Sequence, residues 1–70
     1  MNVAVVVTLN GLATTLRPGT TVETMVDDMG QGRGGIAVAR NSEIIPRSCW
    51  AVTILSNGDR VEILAAAQGG

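Results

Sequence analysis

Val3-Ala4-Val5-Val6-Val7-Thr8-Leu9-Asn10-Gly11-Leu12-Ala13-Thr14-Thr15-Leu16 places a β-branched run, a two-residue turn signal and a second run in direct succession. Residues 3–9 are apolar at odd and even positions alike, which suits a central strand covered on at least one face. Asn and Gly are the residues that best tolerate the positive φ required at both central positions of a type I′ turn, so residues 12–16 return as an antiparallel partner. Pro18-Gly19 then ends the hairpin with a second turn.

Working outward, Thr20-Thr21-Val22-Glu23 has the spacing of a capping box, in which a Thr hydroxyl accepts from a first-turn N–H and Glu23 reaches back to the cap. A helix begins there. Val22, Met25, Val26 and Met29 recur at i, i+3, i+4 and i+7, a stripe that reads as core packing against a sheet rather than as a cofactor-binding feature. Gly30 supplies the stop. The run Gly30-Gln31-Gly32-Arg33-Gly34-Gly35 matches the G-x-G-x-x-G expression of dinucleotide-binding folds, but that fingerprint must follow a strand and open a helix. Here it follows a helix and leads into a strand, so it reads as a connector.

Residues 36–39 form a third strand, Arg40-Asn41-Ser42 a turn, and residues 43–45 a short fourth strand that Pro46 stops, since proline cannot donate to a ladder. One turn of helix or 3₁₀ helix is expected near residues 50–55, followed by a turn at Ser56-Asn57-Gly58-Asp59. In residues 60–65, Val61, Ile63 and Ala65 alternate onto one face. The first and last strands are the most apolar, so the last crosses over to lie centrally and parallel beside the first. This predicts an α+β fold, a ubiquitin-like β-grasp: a mixed sheet with one helix packed across one face. Residues 1–66 make the domain, and 67–70 are expected to be a flexible C-terminal di-glycine tail.

Seventy residues allow one domain, which buries roughly 60% of the surface its unfolded chain exposes. With no His, Tyr or Lys and one Cys, the chain cannot build a histidine triad, a Schiff base, a Cys/His zinc cluster or an internal disulfide. We therefore expect no metal and no side-chain catalysis: the protein is not itself an enzyme. The N-terminus is the only primary amine. Five arginines against six acids, spread along the chain, leave no basic patch, so neither nucleic acid nor a membrane is an expected partner. No apolar run approaches the roughly 18 residues of a membrane span, and the start lacks the features of a signal peptide. A cytoplasmic protein is expected, in keeping with the unpaired Cys49.

Chemistry is then concentrated at the end of the sequence, Gly69-Gly70. Two residues without Cβ can enter a narrow channel, and residues 66–70, if extended, reach roughly 13–18 Å. The folded body would dock outside a partner's active site while the Gly70 carboxylate enters it and Gly69 gives access. A carboxylate at neutral pH resists nucleophiles, so a partner must activate it, most simply as an acyl-adenylate. The bland alternative is a frayed end.

Asn10-Gly11, Val38-Ala39-Arg40-Asn41, Ile45-Pro46-Arg47-Ser48-Cys49-Trp50-Ala51, Asn57-Gly58-Asp59-Arg60-Val61-Glu62-Ile63 and Gln68-Gly69-Gly70 together resemble the sulfur-carrier proteins of thiamine biosynthesis, the ThiS family. The resemblance covers nearly the whole chain and is strongest from Val38 onward. It implies that a ubiquitin-activating-type enzyme adenylates the Gly70 carboxylate with ATP. A persulfide sulfur donor then converts it to a thiocarboxylate, and thiazole synthase receives the sulfur. No cofactor is bound permanently; ATP is consumed by the activating partner. Two features depart from the family pattern, the glycine-rich connector at 30–35 and Cys49, and neither touches the tail chemistry. Two other readings stand beside this one: a sulfur carrier for another pathway, such as the small subunit of molybdopterin synthase or a ubiquitin-like modifier, and a β-grasp interaction module with an inert terminus.

Among the side chains, Leu64 alternates away from Val61 and Ile63 and, with Ala37 or Ala39 beside it, marks a docking patch on the sheet face opposite the helix. Trp50, the sole aromatic, is either a packing residue or a partner contact. Arg47 and Arg60 either pair with acids or meet an acidic groove on the activating enzyme. Cys49 reads as a half-buried structural residue rather than a reactive thiol.

Overall fold

The computed structural model describes residues 3–29 and 34–65. Strands β1 (Val5–Leu9) and β2 (Leu12–Leu16) form the first hairpin, with Val5 opposite Leu16 and Leu9 opposite Leu12. Asn10 and Gly11 have φ of 48° and 83°, the positive values a type I′ turn demands. The strand starts two residues later than the apolar run suggests. Val5 is the first residue of β1 with a partner on β2, and Val3 before it is exposed.

Gly19 has φ of 87°, and the Thr20 N–H donates to the Arg17 carbonyl across 3.2 Å, closing the turn ahead of helix α1 (Val22–Asp28). Its cap is Thr21, whose Oγ1 accepts the Thr24 N–H at 3.1 Å. The expected box is thus shifted by one residue. Thr20 donates its hydroxyl to the Arg17 carbonyl instead, and Thr24 rather than Glu23 occupies the third helical position. Thr21 is fixed there because it bridges to Ile54. Val22, Met25 and Val26 are buried and Met29 packs at the margin of the same cluster, as the stripe requires. The Gly30 stop lies outside the described residues.

Strands β3 (Ile36–Arg40) and β4 (Glu43–Ile45) form a second hairpin, and β5 (Arg60–Ala65) completes a five-stranded sheet ordered β2-β1-β5-β3-β4. The last strand is central, parallel to β1 and antiparallel to β3. Together with one helix over one face, this is an α+β, ubiquitin-like β-grasp. Val7, Val38, Val61 and Ile63 from the sheet meet Val22, Met25 and Val26 from the helix in an almost wholly aliphatic core. Ala65 shares the phase of Val61 and Ile63 but is exposed, because it pairs with Ile36 at the very end of the sheet.

The helical turn in the crossover is a 3₁₀ helix at Arg47–Val52, earlier than expected. Pro46 starts it by accepting the Cys49 N–H at 2.8 Å, and residues beyond Val52 are drawn into extended pairing, with the Leu55 N–H donating to the Thr20 carbonyl at 2.9 Å.

Candidate functional site

Strand β5 enters the sheet from the loop at residues 56–59 and ends at Ala65. At its entry, the loop before β5 is held on both sides. The Thr8 N–H donates to the Asp59 carbonyl, the Gly58 N–H to the Val6 carbonyl, and the Val6 N–H to Asn57 Oδ1. Across the sheet, the Arg60 N–H donates to Asn41 Oδ1 and the Arg60 guanidinium to Ser42 Oγ. The buried Asp59 carboxylate accepts from Arg40 Nε at 2.9 Å, Asn41 Nδ2 at 3.1 Å and the Ser56 N–H at 2.8 Å. Burial pushes its carboxyl up. The Ser56 N–H, the Asn41 amide and the adjacent Arg40 guanidinium outweigh that and hold it below the ordinary carboxylate value.

At the exit end, the strand directions bring together the Asn10-Gly11 turn, the start of β3 and the end of β4. On the face away from the helix, Leu64 is 56% exposed and opposite Ala37, while Ile44 is 62% exposed and opposite Ala39. Leu64, Ile44 and the half-buried Ala37 therefore form a modest apolar strip, while Ala39, at 7% exposure, is covered by its larger neighbours and only floors it, with Glu62 opposite on its other side. Nothing in the sequence sets Ile44 apart from Ile45. Strand alternation dictates that one of the adjacent pair Ile44 and Ile45 faces outward, but only the register with Val38 shows which.

Leu64 and Arg47, the other two expected contact residues, are both exposed. Trp50 is not available to a partner. At 2% exposure it belongs to the core on the helix side, and its Nε1–H donates to the Ile45 carbonyl at 3.0 Å. A single aromatic in so small a core is the largest apolar body available to fill the space under the crossover, which is why it is buried. The Arg47 guanidinium lies 5.1 Å from the Trp50 ring centroid, covering it from outside. Arg47 and Leu64 thus belong to different surfaces. Cys49 is partly buried in the 3₁₀ helix, its carbonyl accepting from Thr53 Oγ1. Gly69, Gly70 and the flexible segment expected at 67–70 lie outside the described residues. Among those described, no group of three His, Cys, Asp or Glu is placed to hold a metal, and no helix is long and apolar enough to cross a membrane.

Residues 4–70 match the sequence model of the ThiS family. The chain is 36% identical over 62 residues to a thiazole synthase of Paramagnetospirillum magneticum, a match covering 89% of this chain and 19% of that much longer protein. It is 35% identical over 52 residues to the sulfur carrier protein ThiS of Escherichia coli, covering 74% of this chain and 79% of the relative. The crystal structure of a thiamine biosynthesis protein, ThiS, from Geobacter metallireducens superposes with a TM-score of 0.78 at 26% identity, over the full length of both chains.

Proposed function

The chain belongs to the ThiS family, and from that premise we propose that it carries sulfur for thiazole formation as a thiocarboxylate on Gly70. The observation that carries this reading is that the family match runs through Gly70 itself, on a chain whose side chains offer no His, Lys or Tyr for catalysis of its own. The carrier is a substrate of other enzymes and not a catalyst.

The chemistry follows from the inertness of a carboxylate. A Gly70 oxygen attacks the α-phosphorus of ATP in a ubiquitin-activating-type enzyme and expels pyrophosphate, leaving an acyl-adenylate. The terminal sulfur of a persulfide donor attacks the acyl carbon and AMP departs. A thiol then cleaves the resulting S–S bond, leaving the thiocarboxylate on Gly70 and a disulfide on the donor side. Gly69 keeps the approach narrow. ATP enters only as the co-substrate of the activating partner. Thiazole synthase as the acceptor is supported by the relative of that name, in which a segment similar to this chain accounts for 19% of a longer polypeptide. The strip of Leu64, Ala37 and Ile44 is small, which suits transient docking to successive partners.

Intact mass measured after incubation with ATP, the adenylating enzyme and a persulfide source tests the reading. Replacement of one oxygen by sulfur, confined to the C-terminal peptide, is the expected result. An unchanged mass with an authentic activating system favours an inert interaction module.

A further inference from the structure

Strand β5 is unevenly supported along its length. On the β3 side it is paired from Val61 through Ala65. On the β1 side the last paired residue is Val61, opposite Leu9, and the final backbone bond there runs from the Asn10 N–H to the Val61 carbonyl at 2.9 Å. Beyond that point β1 turns away into its hairpin, and the Asn10 side chain takes over. Its Oδ1 accepts the Ile63 N–H at 2.8 Å, and its Nδ2 points to the Ile63 carbonyl at a longer 3.4 Å. The carboxamide thus stands in for one further strand residue, and it reaches the position because Asn10 is held at φ of 48° by the turn. The second hairpin offers a counterpart. Asn41, at φ of 50°, grips the Arg60 N–H at the other end of the same strand.

From this we infer that Asn10 is a positioning residue for activation of the terminal carboxylate: by gripping Ile63 it keeps the end of β5 at a fixed place on the docked body. The inference rests on the terminal-carboxylate reading above. The segment 66–70 follows β5 directly, so the end of this strand is the base from which Gly70 is presented. Releasing Ile63 leaves residues 62–65 held from one side only, and a carboxylate presented from a loosened base spends less time in line with the reacting phosphorus. Leu64 lies in the released stretch but stays paired with Ala37 on β3, so the docking strip is kept and the loss falls on kcat rather than on KM.

Three variants separate this role from plain stability. Asn10→Gly keeps a residue suited to positive φ but removes the grip. Asn10→Asp retains the Oδ1 acceptor. Asn41→Gly removes the matching grip at the entry of β5, far from its end. Hydrogen exchange of the Ile63 amide should quicken by about tenfold or more in Asn10→Gly and stay near wild type in Asn10→Asp. With the adenylating enzyme and ATP, pyrophosphate release should show kcat lowered about tenfold in Asn10→Gly with KM within about twofold. Asn10→Asp should restore most of it, and Asn41→Gly should lower the melting temperature while leaving kcat unchanged. Equal kcat in Asn10→Gly and Asn41→Gly, both shown folded by their NMR spectra, overturns the inference, as does an Ile63 amide that exchanges no faster in Asn10→Gly. A wild-type carrier that elicits no pyrophosphate release overturns the carboxylate reading itself, a result distinct from a defect confined to Asn10→Gly.

Discussion

Arg40 Nε donates to Asp59 Oδ2 across 2.9 Å, joining the last residue of β3 to the residue before β5. Neither residue is near the other in sequence, and the carboxylate is nearly fully buried while the guanidinium keeps partial contact with water. With Ser56 and Asn41 also donating, the Asp59 carboxylate is satisfied by one backbone and two side-chain groups, the condition under which a buried charge supports a fold rather than weakening it. The loop at residues 56–59 is fixed through it, and so is the start of the central strand.

Acid should therefore loosen the entry of β5. The folded-state value of the Asp59 carboxyl lies below its unfolded value, so the unfolded chain takes up the proton first. The contribution is present in full above about pH 5 and is lost as the pH falls below about 4, through the folded-state value. Melting temperatures between about pH 6 and 3 should drop more steeply for the wild type than for Asp59→Asn, which at neutral pH should be less stable by about 1–3 kcal/mol. Parallel curves for the two proteins would show that Asp59 contributes nothing to the acid response.

Met25 is 2% exposed and faces the sheet from the middle of α1. Met25→Asp places an unpaired carboxylate in an aliphatic core. The cost of several kcal/mol approaches the whole stability, roughly 4–10 kcal/mol, of a domain this size. Loss of dispersion in the amide NMR spectrum at 25 °C is expected, and a dispersed, cooperatively melting variant would contradict the placement of the helix.

At the terminus, deletion of Gly70, or addition of a single residue after it, should abolish acyl-adenylate formation while leaving the melting temperature within about 1–2 °C of wild type, since chain ends contribute little to stability. Gly69→Val should slow activation through its branched Cβ, and Cys49→Ser should leave activation intact. Trapping with hydroxylamine, which converts an acyl-adenylate to a hydroxamate, reads all four directly. A trapped hydroxamate in the Gly70 deletion would end the reading.

Leu64→Arg and Ile44→Arg place a cation on the open face without disturbing the core. Each should raise the KM for the adenylating enzyme, by about tenfold if the residue lies near the centre of the contact, with unchanged thermal stability. Wild-type kinetics in both variants would move the docking surface elsewhere.

Much of this fold is legible in short stretches. The positive φ at Asn10-Gly11, the stripe from Val22 to Met29 and the alternation of Val61 and Ile63 are local requirements, met by residue type and spacing alone. The central, parallel placement of β5 also follows from sequence, because the two most apolar strands bury most when paired. The expectation that chemistry sits at Gly69-Gly70 comes from composition, because the chain has no His, Lys or Tyr to carry it on a side chain.

Tertiary structure decided the rest, wherever two nearby residues had equal local claims. Thr21 rather than Thr20 caps the helix because Thr21 is bridged to Ile54. Ile44 rather than Ile45 faces outward because β4 is in register with Val38. Trp50 is buried because the crossover needed filling, although the same residue type is common at interfaces. Asn10 is a turn residue by sequence, and its grip on Ile63 exists only because a strand 53 positions away ends beside it. Local patterns specify φ and the phase of burial. Which backbone group a side chain meets across the sheet depends on strand register, and register is set only when the whole domain closes.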